Sequence, residues 1–141
     1  YRDALNEAGL PFDEALILPG DGDATGGQRA CQRLLALSPR PTAAFCYNDR
    51  TAIGLIYAAK QAGLALPRDL AVVGFDDIPF ASFIEPALTT IAQPMAELGR
   101  RAVEMGLALL AEQREDKASA ASNVILRGRL VVRASSGAPV L

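Results

Sequence analysis

Two uninterrupted apolar runs constrain this chain most: Ala43-Ala44-Phe45-Cys46-Tyr47 and Leu70-Ala71-Val72-Val73-Gly74-Phe75. Each stops abruptly at a polar pair, Asn48-Asp49 and Asp76-Asp77. A strand with no polar alternation is expected where both faces of a sheet are covered, as in parallel sheets. Between the runs, Asp49 to Ala62 reads as one helix, with Gly63 past its end and Pro67 beyond. Strand, helix and strand in that order specify a parallel crossover unit.

The same punctuation organises the rest. Tyr1 to Leu10 reads as the end of a helix, with Gly9 at a left-handed cap. Ala15–Leu18 is a predicted short strand, and Thr25 to Leu37 a helix with Ala30, Cys31, Leu34, Leu35 and Leu37 on one side. Leu88–Ile91 is a further strand, Pro94 to Glu112 a long helix, Gln113–Asn123 a polar connection, and Val124–Leu126 and Leu130–Val132 closing strands. The expected class is α/β, a three-layer parallel sheet flanked by helices.

Composition narrows the chemistry. The chain is 50% hydrophobic and 21% charged, too apolar for disorder. Fourteen basic and sixteen acidic residues give a net charge of -2 without a basic cluster, so these residues are poor direct contacts for nucleic acid. With no histidine, Ser-His-Asp and Cys-His catalysis are excluded, and a zinc site has almost no ligands. No catalytic residue, metal or cofactor is expected. Cys31 and Cys46 are not spaced as a metal or redox pair, and Cys31 reads as a buried small hydrophobe. No apolar run is long enough to span a membrane. The Gly20–Thr25 loop lies where a dinucleotide fingerprint would. Thr25 takes the place of the third glycine, and two aspartates face the pyrophosphate position, so nucleotide binding is disfavoured.

In open parallel sheets, ligands bind beyond the carboxyl ends of the strands. Asn48 and Asp76 are the first polar residues there, and Gln93 follows the Leu88–Ile91 segment. Planar carboxylate and amide groups can each address two neighbouring hydroxyls, which suits a polyol such as a sugar or nucleoside. Phe80 and Phe83 could stack on an apolar ligand face, or belong to the core or an interface. Asp49 reads as a helix cap. Asp77 reads as a turn residue or a ligand, and Gln93 has the alternative of a hinge hydrogen bond. A second apolar side of the Asp49–Ala62 helix, with Ile53, Tyr57 and the adjoining Ile56, suggests a second partner, and Phe83 and Ile84 could extend that patch.

Four ordered motifs carry a family resemblance. Pro41-Thr42-Ala43-Ala44-Phe45-Cys46-Tyr47-Asn48-Asp49, Leu66-Pro67-Arg68-Asp69-Leu70-Ala71-Val72-Val73-Gly74-Phe75-Asp76-Asp77, Pro86-Ala87-Leu88-Thr89-Thr90-Ile91-Ala92-Gln93-Pro94 and Leu130-Val131-Val132-Arg133-Ala134-Ser135 are together similar to LacI/GalR-type bacterial transcription regulators. The resemblance implies a two-lobed, periplasmic-binding-protein-like effector domain behind a helix-turn-helix headpiece. Residues 1–88 and about 122–135 would then be the C-terminal lobe, incomplete at its start. Residues 89–121 would be the crossover and one helix of the N-terminal lobe. The headpiece, and an effector-contacting arginine a few residues before Tyr1, would lie outside this sequence. By the resemblance, Asn48, Asp76 and Gln93 are similar to effector contacts, and the Asp49–Ala62 helix with its following loop pairs subunits in homodimers. A cytoplasmic repressor binding a sugar-like effector, and operator DNA through the headpiece, is the expectation. A periplasmic sugar-binding transport receptor and a nucleotide-binding enzyme are the alternatives.

Overall fold

The computed structural model describes residues 1–114 and 123–138. Its order is α1 (Arg2–Glu7), a 3-10 turn (Glu14–Leu16), α2 (Ala24–Leu35), β1 (Ala43–Phe45), α3 (Asp49–Gln61) and β2 (Ala71–Val73). A second 3-10 turn (Pro79–Ser82), β3 (Thr90–Ala92), α4 (Met95–Arg114), β4 (Arg129–Val131) and a third 3-10 turn (Ala134–Ser136) complete it.

The expected parallel crossover is present. β1 pairs in parallel with β2, Ala43 opposite Ala71 and Phe45 opposite Val73. Beyond β2, Val73 bridges Thr89 and Asp76 bridges Ala92, both in parallel, so a third segment lies beside it. β3 then turns away to pair antiparallel with β4, Ile91 opposite Leu130.

The core sits between the strands and the α2/α3 layer. Cys31, Leu34, Ala52, Leu55, Ile56, Ala59, Leu70, Val72 and Leu88 are its buried side chains. Two glycines let α2 and α3 meet backbone to backbone. A Cβ on Gly27 would overlap the Thr51 carbonyl, and one on Gly54 would overlap the Ala24 carbonyl. Gly26 is equally confined, with the Asp21 backbone nitrogen 2.7 Å from where its Cβ would be. The helix ends follow their signals: Gly9 and Gly63 have φ of 66° and 82°, as left-handed caps require.

Several expectations change. Ala15–Leu18 is not a strand: the Asp13 side chain accepts from the Ala15 N–H at 2.9 Å and fixes a 3-10 turn instead. Val124–Leu126 is irregular, because Arg129–Val131 takes the pairing edge of β3. β1 is covered on one face only. Ala43 and Phe45 point outward and are exposed, since α2 and α3 lie on the other side and, among the described residues, no second helical layer covers them. Most of the polar connection Gln113–Asn123 lies outside the described residues.

α4 differs from the other long helices. Among the described residues its apolar arc is uncovered: Met95, Val103, Leu107 and Leu110 are each more than half exposed. Its opposite side carries a lattice of ion pairs, Arg100 to Glu97 and Glu104, and Arg101 to the same two acids.

Candidate functional site

The parallel register puts the polar groups at one edge. Phe45 stands opposite Val73, so Asn48 and Asp76, each three residues further on, leave the strands at matching positions. Asp76 and Gln93 come together directly: Gln93 Nε2 donates to Asp76 Oδ1 at 2.5 Å. The bridge between Asp76 and Ala92 sets this up, with the Asp76 N–H on the Ile91 carbonyl at 2.9 Å. Gln93 therefore uses its side chain on the neighbouring carboxylate, not on a hinge backbone group.

Asp76 is held in a costly conformation. Its φ is 121°, and Asp77 follows at 58°. Non-glycine residues at such angles cost roughly 1–3 kcal/mol each and cluster at ligand sites. The Asp77 carboxylate is taken by Arg133, whose Nη2 donates at 2.7 Å while Nη1 reaches the Leu88 carbonyl at 2.8 Å. Asp77 is thus a clasp to the terminal segment. Arg133 had no role assigned from the residues alone, although the Leu130–Ser135 motif contains it.

Asn48 and Asp49 exchange the expected cap. Asn48 caps α3: its Oδ1 accepts from the Thr51 N–H at 2.8 Å, and its Nδ2 donates to the Gly22 carbonyl at 2.8 Å. It has extended backbone, which the cap position requires, whereas Asp49 is already the first helical residue. Asp49 points inward instead and is fully buried, accepting from Thr90 Oγ1 and the Ile78 N–H. One N–H and one acceptor lone pair of Asn48 remain for a ligand.

The aromatic candidates are outside the core. Phe80 and Phe83 are 70% and 82% exposed. Ile53 is half-buried and Tyr57 exposed on α3, whereas Ile56 is 3% exposed in the core and does not belong to the outer stripe. The angular step from Ile53 to Ile56 turns the latter into the core cluster that also holds Leu88 and Val72. Ile84 packs partly against the same core. Lys60 Nζ donates to the Glu85 carbonyl at 3.0 Å, tying the loop that carries Phe83 to α3.

The Gly20–Thr25 loop is closed to phosphate. Asp23 caps α2 with its own carboxylate on the Gly26 N–H at 2.7 Å, and Asp21 pairs with Arg29. No cluster of potential metal ligands occurs among the described residues. Burial holds the Cys46 thiol at about 12, with the Asp49 charge adding to the shift, and burial also raises Cys31. Both are buried free thiols. A cavity of about 560 Å³ lies beside β1, lined by Leu16, Ile17, Leu18, Leu34, Ala44 and Phe45 among others. It contains neither Asp76 nor Gln93, so the polar convergence is a separate feature.

Asp76, Gln93 and Asn48 thus lie at one sheet edge, and comparison gives the class of the domain. The periplasmic-binding-protein-like domain family matches residues 1–136, and the chain belongs to it. Its homologues are LacI-family transcriptional repressors rather than enzymes. It is 38% identical over 138 residues to the transcriptional repressor CytR of Escherichia coli K12, covering 98% of this chain and 39% of that protein. It is 41% identical over 135 residues to the repressor PurR of Photorhabdus laumondii, covering 96% of this chain and 38% of that one. The solved complex of the transcriptional regulator CelR with cellobiose superposes with a TM-score of 0.83 at 32% identity, over 96% of this chain and 40% of that one. The chain therefore spans about two fifths of the length of these relatives.

Proposed function

We propose that these residues are the effector-sensing part of a DNA-binding transcriptional repressor whose ligand is a small polyol, a sugar or nucleoside. The observation that carries this is the Asp76–Gln93 pair, hydrogen-bonded at the carboxyl edge of the sheet on a left-handed turn. Asp76 Oδ2 accepts no hydrogen bond among the described residues, and Asn48 opens on the same edge. CelR is named as a complex with cellobiose, which fits a hydroxyl-rich ligand. Residues 1–88 and 123–135 form the C-terminal lobe in this reading, and β3 and α4 pass into the N-terminal lobe. The ligand closes the lobes, and a headpiece outside this sequence carries the change to operator DNA. Such a protein acts in the cytoplasm. Repressor homologues favour this over a transport receptor.

In the full-length regulator, Asp76→Ala is expected to cost about 1.5–3 kcal/mol of effector binding by calorimetry, the range for hydrogen bonds to a charged group. Operator affinity without effector should persist. Unchanged effector affinity would refute the site.

The same reading makes the protein a homodimer through Ile53, Tyr57 and Phe83, with Ile84 beneath. A two-fold contact is self-complementary, so each Ile53 lies near its mate. Ile53→Asp should weaken the dimer by burying an unpaired charge. Sedimentation at micromolar concentration showing an undiminished dimer would exclude this face.

A further inference from the structure

Asp49 is 0% exposed, and the ligand site as described does not use it. Its bonds surround that site. Oδ1 accepts from Thr90 Oγ1 at 2.5 Å and Oδ2 from the Ile78 N–H at 2.8 Å. Its own N–H donates to the Phe75 carbonyl at 2.8 Å. Phe75 and Ile78 flank the left-handed Asp76–Asp77 turn. Thr90 begins β3, three residues before Gln93. One residue on α3 thus grips both sides of the turn bearing Asp76 and the strand leading to Gln93.

The surroundings are shaped for it. A Cβ on Gly74 would overlap Asp49 Oδ1, so the strand keeps a glycine where the carboxylate enters. Both side-chain partners are donors, and both oxygens accept. Asparagine would turn an N–H toward one of them. The Ile78 N–H cannot reverse, so the amide group must face Thr90, whose hydroxyl would then have to accept.

We propose that Asp49 is a positioning residue for the effector site, holding the Asp76–Asp77 turn and β3 so that the Asp76 carboxylate and Gln93 amide meet the ligand together. This rests on the reading that Asp76 contacts effector. It separates the adjacent residues Asn48 and Asp49 into two tasks. Asn48 caps α3 and faces the edge; Asp49 sets the geometry from below.

The experiment uses the full-length regulator with Asp49→Ala, Asp49→Asn, Thr90→Val and Asp76→Ala, singly and with each of the first three combined with Asp76→Ala. Hydrogen exchange without ligand is the first readout. Exchange at residues 76–78 should quicken in Asp49→Ala while α2 stays protected. Unchanged protection of 76–78 overturns the proposal. The second readout is affinity for D-ribose, cellobiose and cytidine. Asp49→Ala should weaken the bound probe about tenfold or more, the scale of a hydrogen bond to a charged group, and Asp49→Asn should lose less. In the Asp76→Ala background the Asp49 changes should add little, because residues acting as a unit are not additive. Equal losses in both backgrounds mean a structural role only and overturn it. Should Asp49→Ala not fold, Thr90→Val and Asp49→Asn give the same cycle with milder changes. A silent Asp76→Ala fells the site reading and this proposal together. A damaging Asp76→Ala beside silent Asp49 and Thr90 variants fells the positioning role alone.

Discussion

α3 and α4 are both long amphipathic helices, yet among the described residues only α3 has its apolar face covered. α3 buries Ala52, Leu55, Ile56 and Ala59 against α2 and β2, with Gly54 at backbone contact. α4 holds Val103, Leu107 and Leu110 out to solvent, and around Gly99 and Gly106 there is open space. Periodicity states that a face must be covered. It does not state by what, and the same 3.6-residue pattern serves both cases.

The comparison is broken most directly by removing one leucine from each helix. Leu55→Ala should destabilise the 141-residue chain by roughly 2–5 kcal/mol, as buried leucines do. Leu107→Ala should change it by less than about 0.5 kcal/mol, as exposed positions do. Urea unfolding measures both; comparable losses would mean that α4 is packed in solution. A methyl group gives a second contrast with opposite signs. Gly54→Ala drives a Cβ into the Ala24 carbonyl and should cost about 1–3 kcal/mol or more. Gly106→Ala meets nothing and should stabilise by roughly 0.5–1 kcal/mol through helix propensity. Repeating Gly106→Ala in the full-length protein sharpens the point, since a sign reversal there would mark a close neighbour of α4.

A further effect, absent at neutral pH, concerns the packed half alone. The Cys46 pKa is raised from 9.0 to about 12 in the fold. Between those values the unfolded chain has lost its thiol proton and the folded chain has kept it. Stability from this group is therefore intact below pH 9 and declines as pH rises toward 12. A Cys46→Ala variant should show a shallower decline across that window. At pH 8 the native thiol should react with a soluble disulfide reagent only as fast as the fold around it opens.

The parallel crossover was legible because long apolar runs with helical spacing between them have few other uses. α2, α3 and α4 followed from periodicity and caps, within two residues at their ends. The failures were local competitions. Ala15–Leu18 has strand composition, but Asp13 offers its backbone a tighter alternative. Asn48 and Asp49 are both good caps by type, and only the direction of each side chain assigns the role. Ile56 and Tyr57 are neighbours in sequence and opposite in burial, because one step along a helix turns about 100°. Asp76 and Gln93 were legible as edge residues. Their direct contact was not, since it depends on β3 running beside β2 far beyond the reach of any local pattern.

The terminal segment closes the sheet from a great distance along the chain. Ser135 Oγ donates to the Val72 carbonyl at 2.6 Å and accepts from the Thr89 N–H at 2.8 Å, across separations of 63 and 46 residues. Arg133 reaches Asp77 across 56. Such distant contacts carry a loop-closure cost before they stabilise anything, and they slow folding. During synthesis, α2, α3 and β1 leave the ribosome with their mutual contacts available. The inner edge of β2 waits for residues 133–136. The polar edge that holds Asp76 therefore takes its final shape only once residues 133–136 have emerged.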